Sequence, residues 1–364
     1  MTALRSCVPF GKMWGMRLDH PYSSLVTEGD YAWTCGQCPL DTSGNVLYAN
    51  DLVAQAKLVV NYIHVSLEDA SFNPSSVAKL VVYHTQTDTD QVLAMLQVFE
   101  QSFAGNALVV PIAVPPFYYE GMMIEVDVYA AKNHEPVTTF TDPVTGLSLQ
   151  LINSIDLTWA TLTTDIQNTQ DLSLESIEEL LVRANLSTEH LLCDQWYESD
   201  EASRAFIEIL TDSDLCQNPN SVFNTNAYGH KATLAELTFV TSANDHSRTI
   251  APTNDTTNLS LTGRYIGNYF SITANVNEDS GVVAQTRKIM TNIASVLDDW
   301  GLTFEDVCKA TTTYVGDSSA EALHENMVIR NSYYSKPGPA STGLIINHFS
   351  NSQGKISVTL FGLV

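Results

Sequence analysis

Two glutamates in apolar, strand-like segments are the side chains best suited to acid–base chemistry. Glu125 lies in the segment IEVD, and Glu236 lies in the segment LAEL. Apolar neighbours on a strand would take a carboxyl group out of water, which raises its pKa and suits proton transfer near neutral pH. The alternative for Glu125 is a position in water at a strand edge, with its neighbours filling the core.

The cysteines offer a second kind of chemistry. Cys35 and Cys38 form a Cys-x-x-Cys pair, a spacing found in redox and metal sites, and Cys35 is a candidate nucleophile. Residues three apart on a strand point to opposite faces, however, and no second pair or His cluster completes a zinc site. We therefore predict no metal and no cofactor. The six cysteines are interpreted as reduced thiols of a cytoplasmic protein.

Aromatic and imidazole side chains could complete a pocket. Tyr118 lies in an aromatic cluster that follows two prolines, and such a loop could form the wall of a pocket for an apolar ligand. His348 ends a predicted closing strand and is a candidate for substrate binding. Ordinary packing between domains is the alternative for the aromatic cluster.

These residues lie within a repeated pattern. The segment GDYAWTCGQ at 29–37 is echoed by GNYFSITAN at 267–275, and each is followed by an amphipathic helix and a β-branched strand. A more divergent copy contains the helix-like segment 172–187. The copies recur at roughly 115–120 residues, which is the size of a small domain. We predict three units, at 1–135, 136–248 and 249–364.

Hydrophobic periodicity predicts the elements of each unit. Apolar residues near a 3.6-residue period indicate helices at 51–68, 89–103, 172–187, 201–210, 281–300 and 319–334. Closing strands are expected at 109–114, 122–129, 342–348 and 355–360. Linkers are expected at 142–146 and 253–258. Helices grouped against mixed sheets make the predicted fold class α+β.

Composition limits the partners. The 364 residues carry a net charge of −24 with only 17 Lys and Arg, which argues against nucleic acid or an anionic membrane as partner. Apolar residues make up 44% of the chain, which is enough for a large core. No apolar run reaches the roughly 18 residues of a membrane-spanning helix. The expected partner is a small molecule.

The segment TCGQCPL at 34–40, preceded by Pro21-Tyr22, resembles the signature of the RidA/YjgF family of imine and enamine deaminases. Members of that family are small domains of chorismate-mutase-like fold that form trimers with a site in each cleft between subunits. The resemblance implies that three fused units form a single-chain pseudo-trimer, monomeric, with helices on one face of each sheet and a pseudo-threefold barrel core.

The resemblance also implies site residues. Tyr22, Cys35 and Gly36 match the family's Tyr and Ser-Gly positions, and Glu125 and Glu236 match the glutamate thought to orient the hydrolytic water. The family's carboxylate-binding arginine is replaced by Ser341 in the third repeat and by Ser221 in the second. A serine cannot form the paired hydrogen bonds of a guanidinium, so a free 2-imino acid is not the expected substrate.

Three hypotheses for function follow. The first is an enzyme that acts on a small imine, enamine or carbonyl-type metabolite, without a carboxylate, by proton transfer and water addition. The second is a binding protein without catalysis, and the third is a structural scaffold. A buried Glu125 facing a cavity with a polar opposite wall favours the first hypothesis. An apolar cavity favours the second, and filled clefts favour the third.

Overall fold

The fold is described from a computed structural model of the chain. The described residues are 5–85, 88–103, 105–165, 172–210, 213–218, 221–225, 227–228, 231–241, 247–250, 258–316, 320–350 and 353–364. Within them, no helix is long and apolar enough to cross a bilayer.

The strands form three six-stranded mixed sheets, and we call the parts of the chain that form them the first, second and third units. The first sheet contains β1 (Ser6–Val8), β2 (Leu25–Glu28), β3 (Tyr31–Thr34), β4 (Val77–His84), β5 (Leu108–Ala113) and β6 (Ile124–Ala131). The second sheet contains β7 (Thr138–Thr141), β8 (Ser148–Asn153), β9 (Leu157–Asp165), β10 (Leu191–Glu198), β11 (Phe223–Asn224) and β12 (Lys231–Val240). The third sheet contains β13 (Ser247–Ile250), β14 (Leu259–Ile266), β15 (Tyr269–Val276), β16 (Val307–Val315), β17 (Ala340–Ile346) and β18 (Ile356–Leu363).

Each sheet is accompanied by two helices. They are α1 (Leu52–Asp69), α2 (Thr89–Ser102), α3 (Leu174–Arg183), α4 (Glu201–Leu210), α5 (Val282–Trp300) and α6 (Ala320–Asn331). The periodicity therefore located all six predicted helices, with α3 and α6 shorter than expected. The carboxylate of Asp51 caps α1 by accepting from the Ala54 amide at 3.0 Å, and Gly301 ends α5 in the left-handed region, where its lack of Cβ removes the strain.

The three sheets share one plan, which gives a position-by-position correspondence between units. In each sheet, the strand that follows the first helix (β4, β10 or β16) pairs in parallel with the next strand and antiparallel with the last one. Each of these three strands begins directly after a 3₁₀ turn. Counting from their first residues therefore aligns the units without reference to sequence similarity.

The α+β fold class with three sheet units is confirmed. The expected pseudo-threefold barrel core differs from what is observed, because hydrogen bonding within the described residues forms three separate sheets and no closed barrel. Single bridges connect the sheets instead, such as the one between Ser23 and Ala340. The inner faces of the sheets bury aromatic side chains against one another, including Trp33, Trp159 and Phe361.

The predicted linker at 142–146 is wrong, because these residues form the turn between β7 and β8. Asp142 closes this turn by accepting from the Val144 amide at 2.9 Å. The other predicted linker lies almost entirely outside the described residues. The division into units at 1–135, 136–248 and 249–364 remains a proposal, and its second boundary falls inside β13.

Candidate active site

A cleft between the first and third units brings together most of the residues expected to act in one site. The space inside the cleft totals about 370 Å³ when the part open to solvent is included. Its polar lining includes four side chains, those of Tyr22, Tyr118, Glu125 and Ser341, together with the backbone of Gly36. Apolar side chains from the N-terminal segment, such as Trp14, cover one side.

Backbone pairing places Gly36 directly over Glu125. After β3 the chain continues through Cys35 to Gln37, whose amide donates to the Val126 carbonyl at 2.8 Å and whose carbonyl accepts from the Val126 amide at 3.1 Å. This pairing holds the loop against β6. A Cβ on Gly36 would lie 1.8 Å from Glu125 Oε1, so only glycine leaves room for the carboxyl group there.

The Glu125 carboxyl group is buried without a cation in direct contact. Glu125 is only 2% exposed, and the Tyr118 hydroxyl donates to its Oε2 atom at 3.4 Å. Burial raises its pKa to about 8, and the negative charge of nearby Asp127 adds to this effect. Lys309 opposes the shift, but its ammonium group is bound to Asp127 at 2.8 Å. Glu125 is therefore mostly protonated at neutral pH.

The third unit contributes the opposite wall through a continuous set of backbone contacts. Ser23 donates from its amide to the Pro339 carbonyl at 3.0 Å and from its hydroxyl to the Gly338 carbonyl at 2.7 Å. These contacts bring Tyr22 beside Ser341 at the start of β17. The buried Tyr22 hydroxyl has no hydrogen bond of normal geometry within the described residues, and burial raises its pKa, which keeps it neutral.

A buried arginine that the sequence did not reveal also lines the cleft. Arg330, in the last turn of α6, is 2% exposed. Its Nε and Nη2 atoms donate to Asn326 Oδ1 at 3.0 and 2.7 Å. These bonds hold the guanidinium beside the preceding turn of α6. No carboxylate of the described residues forms an ion pair with Arg330. The cleft therefore contains a guanidinium that comes from α6 and not from the position of Ser341.

Replacing Gly36 with alanine tests the fit between the loop and Glu125. We expect Gly36→Ala to displace the Glu125 carboxyl group, to lower any activity of the cleft at least tenfold, and to cost about 1–3 kcal/mol of unfolding free energy from overpacking. Gly281→Ala is the matched control, because nothing lies within 4 Å of a Cβ at that position. Equal denaturation midpoints and activities for the two variants would contradict the close fit.

Four other candidate residues lie elsewhere. Cys35 is buried and does not line the cleft; its thiol accepts from Gln37 Nε2 at 3.2 Å, and burial raises its pKa well above the usual range. It is therefore a protonated thiol and a poor nucleophile. Ser221 donates to or accepts from Ser357 Oγ at 2.8 Å in a different interface, and His348 is exposed. The predicted roles of these three residues in the Glu125 cleft do not fit their positions.

Glu236 occupies a different structural position from Glu125. Gln195, the fifth residue of β10, pairs with Glu236, whereas Val81, the fifth residue of β4, pairs with Asp127. Glu236 is thus the counterpart of Asp127. Like Asp127, it binds a lysine from another unit, with 2.8 Å between Lys79 Nζ and Glu236 Oε2. The predicted equivalence with Glu125 is therefore wrong by two residues along the strand.

The three clefts related by the pseudo-threefold arrangement have diverged. In the cleft between the first and second units, Val109 and Pro111 occupy the positions of Ser341 and Gly343. The space there totals about 920 Å³ when the part open to solvent is included, and threonines are the most frequent residues of its lining. In the interface between the second and third units, the hydrogen bond between Ser221 and Ser357 joins the two walls directly. Only the cleft between the first and third units combines a buried glutamate with a buried arginine, within the described residues.

The comparison with known families concerns the first unit. Residues 16–132 match the family described as Endoribonuclease L-PSP. A RutC family protein of Pyrococcus abyssi is 29% identical over 83 residues, which are 23% of this chain and 64% of that protein. The first unit of the chain is therefore similar to this family and to its RutC relative. It thus spans slightly less than two thirds of the curated relative that it matches.

Solved structures of the YjgF family are similar to about one third of the chain. A YjgF/YER057c/UK114 family member from Mycobacterium tuberculosis is 19% identical and covers 35% of this chain and 99% of its own, with a TM-score of 0.29. A conserved Rid family protein from Yersinia pestis, YyfA, is also 19% identical, with coverage of 35% and 99% and a TM-score of 0.30.

The residues of the cleft differ in how well the YjgF signature located them. Tyr22, Gly36 and Glu125 follow from the matching motifs, whereas Arg330 belongs to a helix outside any motif. The sequence contains one further signal of the buried charges. A lysine recurs at the third position of β4 and β16, as Lys79 and Lys309, within segments that are otherwise apolar or β-branched. Such a lysine in a buried strand indicates a buried carboxylate partner.

Proposed function

We propose that the chain is an enzyme of the YjgF type that adds water to a small imine, enamine or carbonyl-type metabolite in the cleft between the first and third units. The observation that carries this proposal is the buried, mostly protonated Glu125, which shares a cavity with the Arg330 guanidinium. A titratable group facing a polar wall favours an enzyme over a passive binding protein or a structural scaffold.

Glu125 is suited to act first as an acid and then as a base. At neutral pH its carboxyl group donates a proton to the imine nitrogen, which makes the imine carbon electrophilic. Water adds to that carbon, and the proton that the water loses returns to the Glu125 carboxylate. Glu125 then donates its proton to the nitrogen of the carbinolamine and takes the hydroxyl proton as the C–N bond breaks, which releases the amine, leaves the carbonyl product and restores the protonated carboxyl group. The Tyr118 hydroxyl holds the carboxyl group in place during both transfers.

The other polar groups of the cleft bind the substrate. The Tyr22 hydroxyl, which lacks a protein partner of normal geometry, is available for a substrate acceptor beside Ser341. Arg330 adds a buried positive charge whose fork of donors suits an anionic or strongly accepting group. We therefore propose that substrates with a carboxylate or a similar acceptor enter this cleft, in place of the carboxylate-free substrates that Ser341 alone would predict.

Hydrolysis of a panel of imines tests the proposal. Imines would be generated in situ from amino acids, amino esters and simple amines, and release of carbonyl product would be measured against buffer alone. We expect turnover, and we expect Arg330→Met to raise KM at least tenfold for the imines with a carboxylate while changing it little for uncharged ones. Arg183→Met, on the exposed face of α3, is the matched control.

Two results would count against these assignments. If no imine is turned over but the protein binds the carbonyl products of the panel saturably, the chain is a binding protein and not an enzyme. Equal KM changes for charged and uncharged imines in Arg330→Met would show that Arg330 supports the cleft structurally and does not recognise charge.

The remaining proposals concern the state of the protein. The contacts between units support a monomer in which one chain supplies both walls of the cleft. Light scattering that shows a trimer of chains would contradict it. A cytoplasmic location agrees with the free cysteines of the described residues and is part of this proposal.

A further inference from the structure

A second cavity lies where the three sheets meet, away from the Glu125 cleft. The space inside it totals about 740 Å³ when the part open to solvent is included, and its walls come from all three units. The first unit contributes Tyr83, the second contributes Tyr197 and Trp159, and the third contributes Thr313 and Phe361. Gly36, Glu125 and Arg330 do not line this central cavity, so it is distinct from the site proposed above.

The correspondence between units shows why this space exists. Tyr83, Tyr197 and Thr313 are each the seventh residue of β4, β10 and β16. Their partners on the neighbouring parallel strands, Ile112, Phe223 and Leu344, correspond as well. Two units therefore place a phenol side chain at this position, and the third places a threonine. The side chain of Thr313 is smaller than tyrosine by about one hydroxyphenyl group, which leaves that space empty in the third unit.

The walls of the central cavity suit a neutral ligand. The two lysines that line it are each bound to a carboxylate, with 2.8 Å between Lys79 and Glu236 and 2.8 Å between Lys309 and Asp127. An anionic ligand would therefore enter a buried space without a free cation, at a high desolvation cost. Asp194, the other carboxyl group that lines the cavity, already accepts from the Gln217 amide at 3.2 Å. Aromatic and aliphatic walls favour an apolar body, since a void of this kind loses dispersion contacts when it stays empty.

The cavity also offers hydrogen bonds to a hydroxyl group. The side-chain hydroxyls of Tyr83, Thr311 and Thr313, which all line the cavity, make no hydrogen bond within the described residues. A phenol combines a flat apolar ring with one hydroxyl that can donate and accept. We propose that the central cavity binds a small neutral phenol in the space left by the tyrosine that the third unit lacks.

Binding of phenol itself tests the proposal. We expect phenol to raise the thermal midpoint of the wild-type protein in a saturable manner, as a ligand of the folded state does, and to show a single site by calorimetry. Thr313→Tyr restores the missing side chain, so we expect its affinity for phenol to fall at least tenfold. Ser341→Trp obstructs the Glu125 cleft and leaves the central cavity unchanged, so its affinity should match that of wild type.

Crystals soaked with 4-bromophenol locate the site directly, even if Thr313→Tyr does not fold. We expect bromine density between Tyr83 and Thr313. No saturable binding at millimolar phenol, density confined to the Glu125 cleft, or loss of binding in Ser341→Trp with retention in a folded Thr313→Tyr would each overturn the proposal. None of these results depends on whether the cleft hydrolyses imines.

Discussion

Glu125→Gln is expected to lower kcat for imine hydrolysis by roughly 100- to 10,000-fold, the range that general acid–base catalysis contributes. Glutamine keeps the shape of the side chain and its hydrogen bond with Tyr118, but it neither donates an acidic proton nor accepts one. The measurement is steady-state kinetics on the best imine of the panel, with KM expected to change little. Wild-type activity should also fall as the pH rises above about 8, where Glu125 loses the proton that it donates.

Stability measurements separate this effect from misfolding. The pKa of Glu125 is raised from 4.5 to about 8 in the folded state, so the folded protein binds one more proton than the unfolded chain between these values. Wild-type stability should therefore decline from pH 4.5 to about 8, by roughly 1.4 kcal/mol per pH unit at most, and Glu125→Gln should lack this part of the decline. Glu120→Gln, at an exposed site, is the control for both measurements. A Glu125→Gln enzyme with the activity of Glu120→Gln would refute the catalytic assignment.

Lys309→Met is expected to destabilise the fold by about 3–5 kcal/mol, because it leaves the buried Asp127 carboxylate without its cation. Lys309 Nζ lies 2.8 Å from Asp127 Oδ1 and also donates to the Thr34 carbonyl at 2.9 Å, so one ammonium group connects the third unit to two strands of the first. The side chains of Lys309 and Asp127 are 3% and 0% exposed, so water cannot solvate the carboxylate once the lysine is removed. Denaturant unfolding measures the loss.

Two further variants test whether the lost stability comes from the buried ion pair. Lys12→Met removes an ion pair whose lysine side chain is 61% exposed, and it should cost less than about 1 kcal/mol. The double variant Lys309→Met with Asp127→Asn removes the unpaired charge and should recover part of the stability. If Lys309→Met and Lys12→Met unfold at the same denaturant concentration, the buried pair does not hold the units together.

Local sequence patterns located the elements of this fold well. Helix periodicity depends on residues close in the chain, and it sufficed to place six helices. The grouping of Tyr22, Gly36, Glu125 and Ser341 followed from the resemblance to the RidA/YjgF signature. Ser341 was the most distant of these, and it was found because it stands where that family has its arginine.

Features that depend on register or on helix rotation could not be predicted in this way. Glu236 and Glu125 have the same kind of apolar neighbours, and only the pairing of β10 with β12 shows that Glu236 corresponds to Asp127. A shift of this size between repeats leaves the sequence pattern almost unchanged but moves the side chain to another pocket. Arg330 was missed because its direction depends on how α6 packs against the first unit.

The two lysine–carboxylate pairs at the centre have no third partner, because Cys193 and Thr359 occupy the corresponding positions of the second and third units. In a trimer of identical subunits, any substitution next to the symmetry axis appears three times, so a change that is tolerable once becomes three simultaneous defects packed against each other. Fusion into one chain removes this restriction. The centre of the molecule, which is the most constrained region of a symmetric trimer, becomes a place where natural selection can test one residue at a time.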